Sequence, residues 1–146
     1  MNAQANGASA WHVDRAEALR YLGYTGQDIT PDLNERLKTL FARCEQTSNP
    51  GFTYRIFPCD SAHGDIRLAG TTLVLEGRDI YEHLKDAQLV AVMAATAGLG
   101  NEQELRRLSF KNSLDAAIYG SAGSALVESV GDACNARIVD CLLYTS

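Results

Sequence analysis

The sequence lacks most of the features that would commit it to a function at once. No apolar run approaches the roughly 18–20 residues that span a bilayer as a helix. Met1 to Ala10 are small and polar, without the basic start and apolar stretch of a signal peptide. They read as a flexible leader, and the expected location is cytoplasmic. Basic residues are few, with 13 Lys and Arg against 18 Asp and Glu, for a net charge of −5. The resulting isoelectric point near 5.1 argues against a nucleic-acid partner, because phosphate binding needs a basic surface.

Paired cysteines are also missing. The four cysteines, Cys44, Cys59, Cys134 and Cys141, contain no C-x-x-C, and zinc sites show closely paired ligands. Cys59 and His63 are near neighbours, but two ligands do not make a metal site. Cys134 and Cys141 are spaced to share a helix face and read as packing, since a free thiol behaves as a small hydrophobe. No serine stands in a G-x-S-x-G elbow, so a hydrolase triad has no support. His12, His63 and His83 read as packed or surface residues. There is no internal repeat and no low-complexity linker.

What is present suits one globular domain. The chain has 146 residues, of which 46% are hydrophobic and 21% charged, the balance of a soluble protein with a core of its own. Asp14 is placed to cap a short helix through Leu22, closed by Gly23. Thr30-Pro31-Asp32 opens a second helix, with Leu33, Leu37, Leu40, Phe41 and Cys44 on one face. After the break at Ser48-Asn49-Pro50-Gly51, period-two alternation begins at Phe52 and predicts a strand. Short strands at Ile66–Leu68 and Thr71–Leu75 follow, which together suggest an antiparallel meander.

Asp79 with Glu82, and Asn101 with Glu104, have the spacing of capping boxes at the starts of two helices. Between them, the near-continuous apolar run from Gln88 to Thr96 predicts a strand buried on both sides. The segment from about Ser113 to Leu143 predicts a long helix rich in Ala, Gly and Ser. Gly120 and Gly123 each lower its helix propensity by about 1 kcal/mol, which a close backbone contact would offset. The fold class expected is α+β: N-terminal helices, an antiparallel meander and a small-residue-rich C-terminal helix.

Two places offer chemistry. Thr96-Ala97-Gly98-Leu99-Gly100 joins a strand to a helix, where backbone N–H groups can hold an anion. It is neither a P-loop nor the full dinucleotide fingerprint, and its bland reading is a turn. Glu128 and Asp132, four apart, share a helix face. They could serve acid–base work or form a solvated face.

Several stretches in order carry a resemblance. They are Leu19-Arg20-Tyr21-Leu22-Gly23-Tyr24 with Gly26; Tyr54-Arg55-Ile56-Phe57-Pro58; Leu73 to Ile80 with His83-Leu84; Met93 to Gly100; and Leu114 to Ala117 with Gly120-Ser121-Ala122 and Val127-Glu128. Over roughly residues 14 to 140 the chain resembles free-standing relatives of the activation domain of vitamin B12-dependent methionine synthase. The resemblance implies a component of a methyltransferase that is not catalytic alone. It would bind S-adenosylmethionine and present the methyl group to cobalamin held by a partner domain or subunit. One electron from a flavodoxin-type donor would complete the return to methylcobalamin. The candidate cofactor-binding positions are Thr96, Gly98 and Gly100 of the loop together with Glu128, which the resemblance places on the cobalamin-facing helix; no metal is expected. Ser124 stands where the family carries a second acid four residues before Glu128.

The family's Arg-x-x-x-Gly-Tyr type motif, which holds S-adenosylmethionine, has no counterpart here. Cys141 to Ser146 also look unlike the helix before them. The expected organisation is a leader over 1–12, an incomplete activation-domain-like region over 13–140, and a non-native tail over 141–146. The other readings are a non-catalytic module that docks on a corrinoid protein, and a small-molecule enzyme using the Thr96–Gly100 loop as an anion site.

Overall fold

The computed structural model describes residues 3–4 and 11–145. Most of the expected leader, residues 1, 2 and 5–10, lies outside the described residues. The order of elements is β1 (Ala3–Gln4), α1 (Arg15–Tyr21), α2 (Pro31–Thr47), β2 (Gly51–Asp60), β3 (Ile66–Leu68), β4 (Val74–Leu75), α3 (Arg78–Leu84), β5 (Leu89–Thr96), α4 (Leu99–Lys111) and α5 (Ser113–Thr145). The fold is α+β, as expected. The chain divides into a helical unit, Gln4–Phe52 with Ala95–Ser146, and a sheet unit centred on Thr53–Ala94.

In the helical unit the expected caps form. The Asp14 side chain accepts from Glu17 N at 3.0 Å, and Thr30 Oγ1 accepts from Leu33 N at 3.3 Å. The stripe on α2 turns inward, with Leu37, Leu40, Phe41 and Cys44 buried. These meet Ile118, Tyr119, Ala122, Ala125 and Leu126 of α5, together with Ala18 and Leu108. α5 packs against α1, α2 and α4, so one long helix organises the other three. Trp11 and Val13 pack on the rim of this cluster. Val13 N donates to Glu45 Oε1 at 2.7 Å, which ties down the chain just before α1.

The small residues of α5 serve close packing. A side chain added at Gly123 would come within 3.1 Å of Asn101 Oδ1, while one at Gly120 would meet Leu105 at 3.5 Å. The helix runs on to Thr145 and takes in residues 141–145.

In the sheet unit the meander forms as expected. β2 pairs antiparallel with β3, with Cys59 opposite Leu68, and β3 pairs antiparallel with β4, with Ile66 opposite Leu75. β5 pairs with β2, and Cys59 N donates to Gln88 O at 2.9 Å at the start of that pairing. Phe57, Ile66, Leu68 and Val90 form the core of this unit, with Tyr81 and Leu84 of α3 over it.

β5 corrects the expectation of a strand buried on both sides. Only Val90 is buried; Leu89, Val92 and Met93 are exposed at 48%, 43% and 40%. An apolar run without period carries no record of which faces are covered, and β5 has one pairing partner among the described residues.

Both expected capping boxes are also corrected. Gly77 caps α3 and Gly98 caps α4, neither with a side-chain cap bond. Each helix therefore starts before its supposed Asp or Asn cap. Glu82 instead pairs with Lys85 at 2.8 Å, and Asn101 turns into the protein.

Candidate functional site

The Thr96–Gly100 loop is built against the end of α2. Gly98 N donates to Thr96 Oγ1 at 3.0 Å, and Asn49 N donates to Ala97 O at 2.9 Å. Gly98 has φ +91°, and a Cβ there would lie 2.8 Å from Asn49 O. A Cβ on Gly100 would lie 2.5 Å from Thr47 O. Both contacts are closer than any side chain tolerates, so the glycines let two stretches of backbone touch. The faces they leave open are filled by the protein itself. Thr96 is exposed, with its hydroxyl already accepting from Gly98.

Below this loop sits a buried polar cluster that spacing alone did not reveal. Asn101 Nδ2 donates to Ser48 Oγ at 2.8 Å and lies 3.3 Å from Cys44 Sγ. Burial pushes the Cys44 thiol pKa up, so it stays a protonated packing group rather than a nucleophile. Thr47 Oγ1 donates to Arg43 O at 2.9 Å and sits 2.5 Å from the hydroxyl of fully buried Tyr119. Because the Thr47 proton is already committed, Tyr119 is the donor in that pair. Burial raises the Tyr119 pKa.

Glu104, nearly buried, is gripped by Arg107 at 2.5 and 2.9 Å and by Arg43 at 2.5 Å. Chiefly through Arg107, these guanidinium groups hold its carboxyl well below the usual range, at about 2. It locks α4 to α2, which is a structural role.

Glu128 lies elsewhere on the helical unit. Tyr21 Oη donates to Glu128 Oε2 at 2.8 Å, and Arg20 Nη2 stands 3.7 Å from the same oxygen while bonding Glu17 at 2.8 Å. The hydrogen bond to Glu128 is the main reason the Tyr21 phenol titrates above its ordinary value. Asp14, Glu17, Glu128 and Asp132, with Ala125 and Ser129, line an open cleft of about 300 Å³ between α1 and α5. None of Thr96, Gly98 and Gly100 lines it. The structure thus places the four candidate residues in two neighbourhoods. α1's part in the second, through Asp14, Glu17 and Tyr21, went unforeseen, because it lies over a hundred residues away along the chain. The cleft is acidic, concave and partly neutralised by Arg20, which suits a basic or hydrogen-bond-donating surface.

The remaining candidates are plain. His63 and His83 are exposed, and His12, also exposed, stands 3.7 Å from Glu45. Among the described residues no three His, Cys, Asp or Glu side chains gather as a metal site. No described helix is long and apolar enough to cross a membrane. The sheet unit carries a second hollow, of about 230 Å³, lined by Thr53, Tyr54, Arg55, Phe57, Leu73, Val92, Met93 and Ala94. The expectation that β5 is buried had hidden it.

No protein-family model and no curated protein matches the chain. Among solved structures the chain is similar to one described as the MetH reactivation domain bound to AdoHcy, with a TM-score of 0.64 and 13% sequence identity. The match covers 94% of this chain and 55% of that one, so the chain spans about half the length of this neighbour. At that identity the likeness is one of fold.

Proposed function

We propose that this chain acts in the S-adenosylmethionine-dependent reductive reactivation of cobalamin-dependent methionine synthase, as a module that meets the cobalamin-carrying domain or subunit. The observation that carries the reading is the fold likeness to a reactivation domain bound to AdoHcy, over 94% of the chain. The sequence stretches that resemble the activation-domain family support it independently. When bound, S-adenosylmethionine supplies the methyl group, and the difficult chemistry belongs to the corrin. The protein's part is placement, which works by proximity and orientation.

Glu128 is the residue of this chain best set for that part. Tyr21 fixes its carboxylate, and the surrounding acids give the surface a sign that steers a basic partner face. Gly98 and Gly100 have their Cβ directions taken by backbone of Asn49 and Thr47, so their lack of a side chain serves internal contact. That use of the glycines favours a second reading, in which the chain docks on a corrinoid protein and holds no small molecule.

One experiment separates the two. Methionine synthase lacking its own reactivation domain, in the cob(II)alamin state, is mixed with this chain, S-adenosylmethionine and a reduced flavodoxin. Complex formation is read by sedimentation and methylcobalamin by its visible spectrum. Return of methylcobalamin supports the first reading. A complex without that return supports docking alone. Absence of any complex overturns both.

A further inference from the structure

α3 covers one end of a sheet face and leaves the other end bare. Its Tyr81 and Leu84 pack over Phe57, Ile66, Leu68 and Val90. Side chains two apart along a strand share a face. Thr53 and Arg55 therefore extend the face of Phe57, and Val92 and Ala94 extend that of Val90. All four line the hollow of about 230 Å³ in the sheet unit. Leu73 and Met93 also line it, and with Val92 they form an apolar wall that folding leaves exposed.

Arg55 gives the hollow its sign, as the one charged residue in the lining. Its guanidinium carbon lies over the Phe57 ring, 5.0 Å from the centroid, a cation–π contact that holds the group at the apolar wall. Among the described residues Arg55 makes no ion pair, whereas Arg67 on β3 is held by Asp65 at 2.9 Å. A guanidinium is weakly hydrated and offers a planar fork of donors that matches a carboxylate. No acid of the lining takes that fork.

We propose that this hollow binds a small carboxylic acid with a flat apolar body, its carboxylate on Arg55 and its body over Leu73, Val92 and Met93. Charge complementarity fixes the acid, and the wall fixes the apolar body. The volume lies below the roughly 300–1,000 Å³ of sites for drug-sized ligands, so the body is a single ring with a short arm. The Met93 thioether favours an aromatic ring beside it. The chain's net charge of −5 opposes an anion at long range, but salt screens that field beyond about 8 Å and leaves the contact with Arg55 intact. The site does not depend on the proposed activity.

Cinnamate is the probe, and cinnamyl alcohol is its uncharged counterpart. Each is titrated into the whole chain at physiological salt and followed by calorimetry and by the methyl NMR signals of Leu73, Val92 and Met93. Cinnamate is expected to move those signals with a Kd below about 1 mM. Cinnamyl alcohol is expected to bind at least about ten-fold more weakly, for want of the charge-assisted bonds. Arg55→Gln changes an exposed side chain, so Tm should hold. It is expected to bring cinnamate down to the level of the alcohol and to leave the alcohol where it was. Leu73→Ser should weaken both ligands alike. Equal affinity of the wild type for the two ligands overturns the inference, and so does cinnamate binding that survives Arg55→Gln. Methyl signals that stay still overturn it too, including the case in which sedimentation shows a second copy already seated on the hollow.

Discussion

The helical unit and the sheet unit spend their apolar residues differently. In the helical unit, α1, α2 and α4 close over the apolar residues of α5 that face them, and the buried polar side chains there are partnered: Asn101 by Ser48 and Cys44, Glu104 by two arginines, Tyr119 by Thr47. In the sheet unit the buried core is Phe57, Ile66, Leu68 and Val90, while Leu73, Val74, Leu89, Val92 and Met93 face solvent. The helical unit exposes apolar residues as well, Leu99, Phe110 and Leu143 at 68%, 87% and 69%, but its buried core is much the larger of the two. The sheet unit has few buried apolar residues to set against those it leaves exposed, so each buried one matters more to it.

The contrast is most easily broken at the glycines of the helical unit. Gly100→Val drives a side chain into Thr47 O, and Gly98→Val adds a disfavoured positive φ to a collision with Asn49. Each is expected to cost about 3 kcal/mol or more, since backbone offers no rotamer to escape the overlap. Urea denaturation measures it. If Gly98→Val left stability intact, the loop would be open, and an anion-binding role for its amides would return.

Glu104 comes next in size. Its folded pKa of about 2 lies below the ordinary glutamate value of 4.5. It therefore adds stability that is fully present above pH 4.5 and is lost as pH falls through about 2. Glu104→Gln is expected to cost about 1–3 kcal/mol near neutral pH, through the charge-assisted bonds to Arg107 and Arg43. It should also flatten the acid limb of the stability curve between pH 4.5 and 2. An unchanged acid limb would mean the arginines do not hold the carboxylate in solution.

Tyr21→Phe is smaller. The Glu128 hydrogen bond it removes is exposed, so stability should change little. The phenol titration, raised by that bond in the wild type, would disappear from the ultraviolet pH profile. A larger loss of stability would make Tyr21 a packing residue and weaken the case for Glu128 as a surface it positions.

Much of the helical unit was legible in the sequence. Thr30-Pro31 and the Leu37, Leu40, Phe41 and Cys44 stripe state where α2 starts and which face it buries, because caps and period are local. The meander was legible for the same reason. Three features were not. Capping-box spacing at Asp79 and Asn101 failed because a glycine two or three residues earlier starts each helix, and i,i+3 ion pairs claim both glutamates. β5 failed because an uninterrupted apolar run has no alternation to show which face is open. The Tyr21–Glu128 pair failed because it joins α1 to α5 across the whole chain. The stretches that resemble the activation-domain family agree with the fold likeness to a reactivation domain. They did not say that both candidate glycines of the loop, Gly98 and Gly100, touch backbone of Asn49 and Thr47.

The smallest expected effect lies on the open face of the sheet unit. Leu73 is 53% exposed and lines the hollow beside Val92, so Leu73→Ser removes apolar surface that folding does not bury well. Its stability change should stay within about 0.5 kcal/mol. Leu68→Ala, at a fully buried position of the same unit, is expected to cost about 2–5 kcal/mol. Thermal and urea unfolding of the two variants side by side measures how far this sheet depends on its covered half. Equal losses would mean the hollow is closed in solution, and Leu73 would count among the core of the sheet unit.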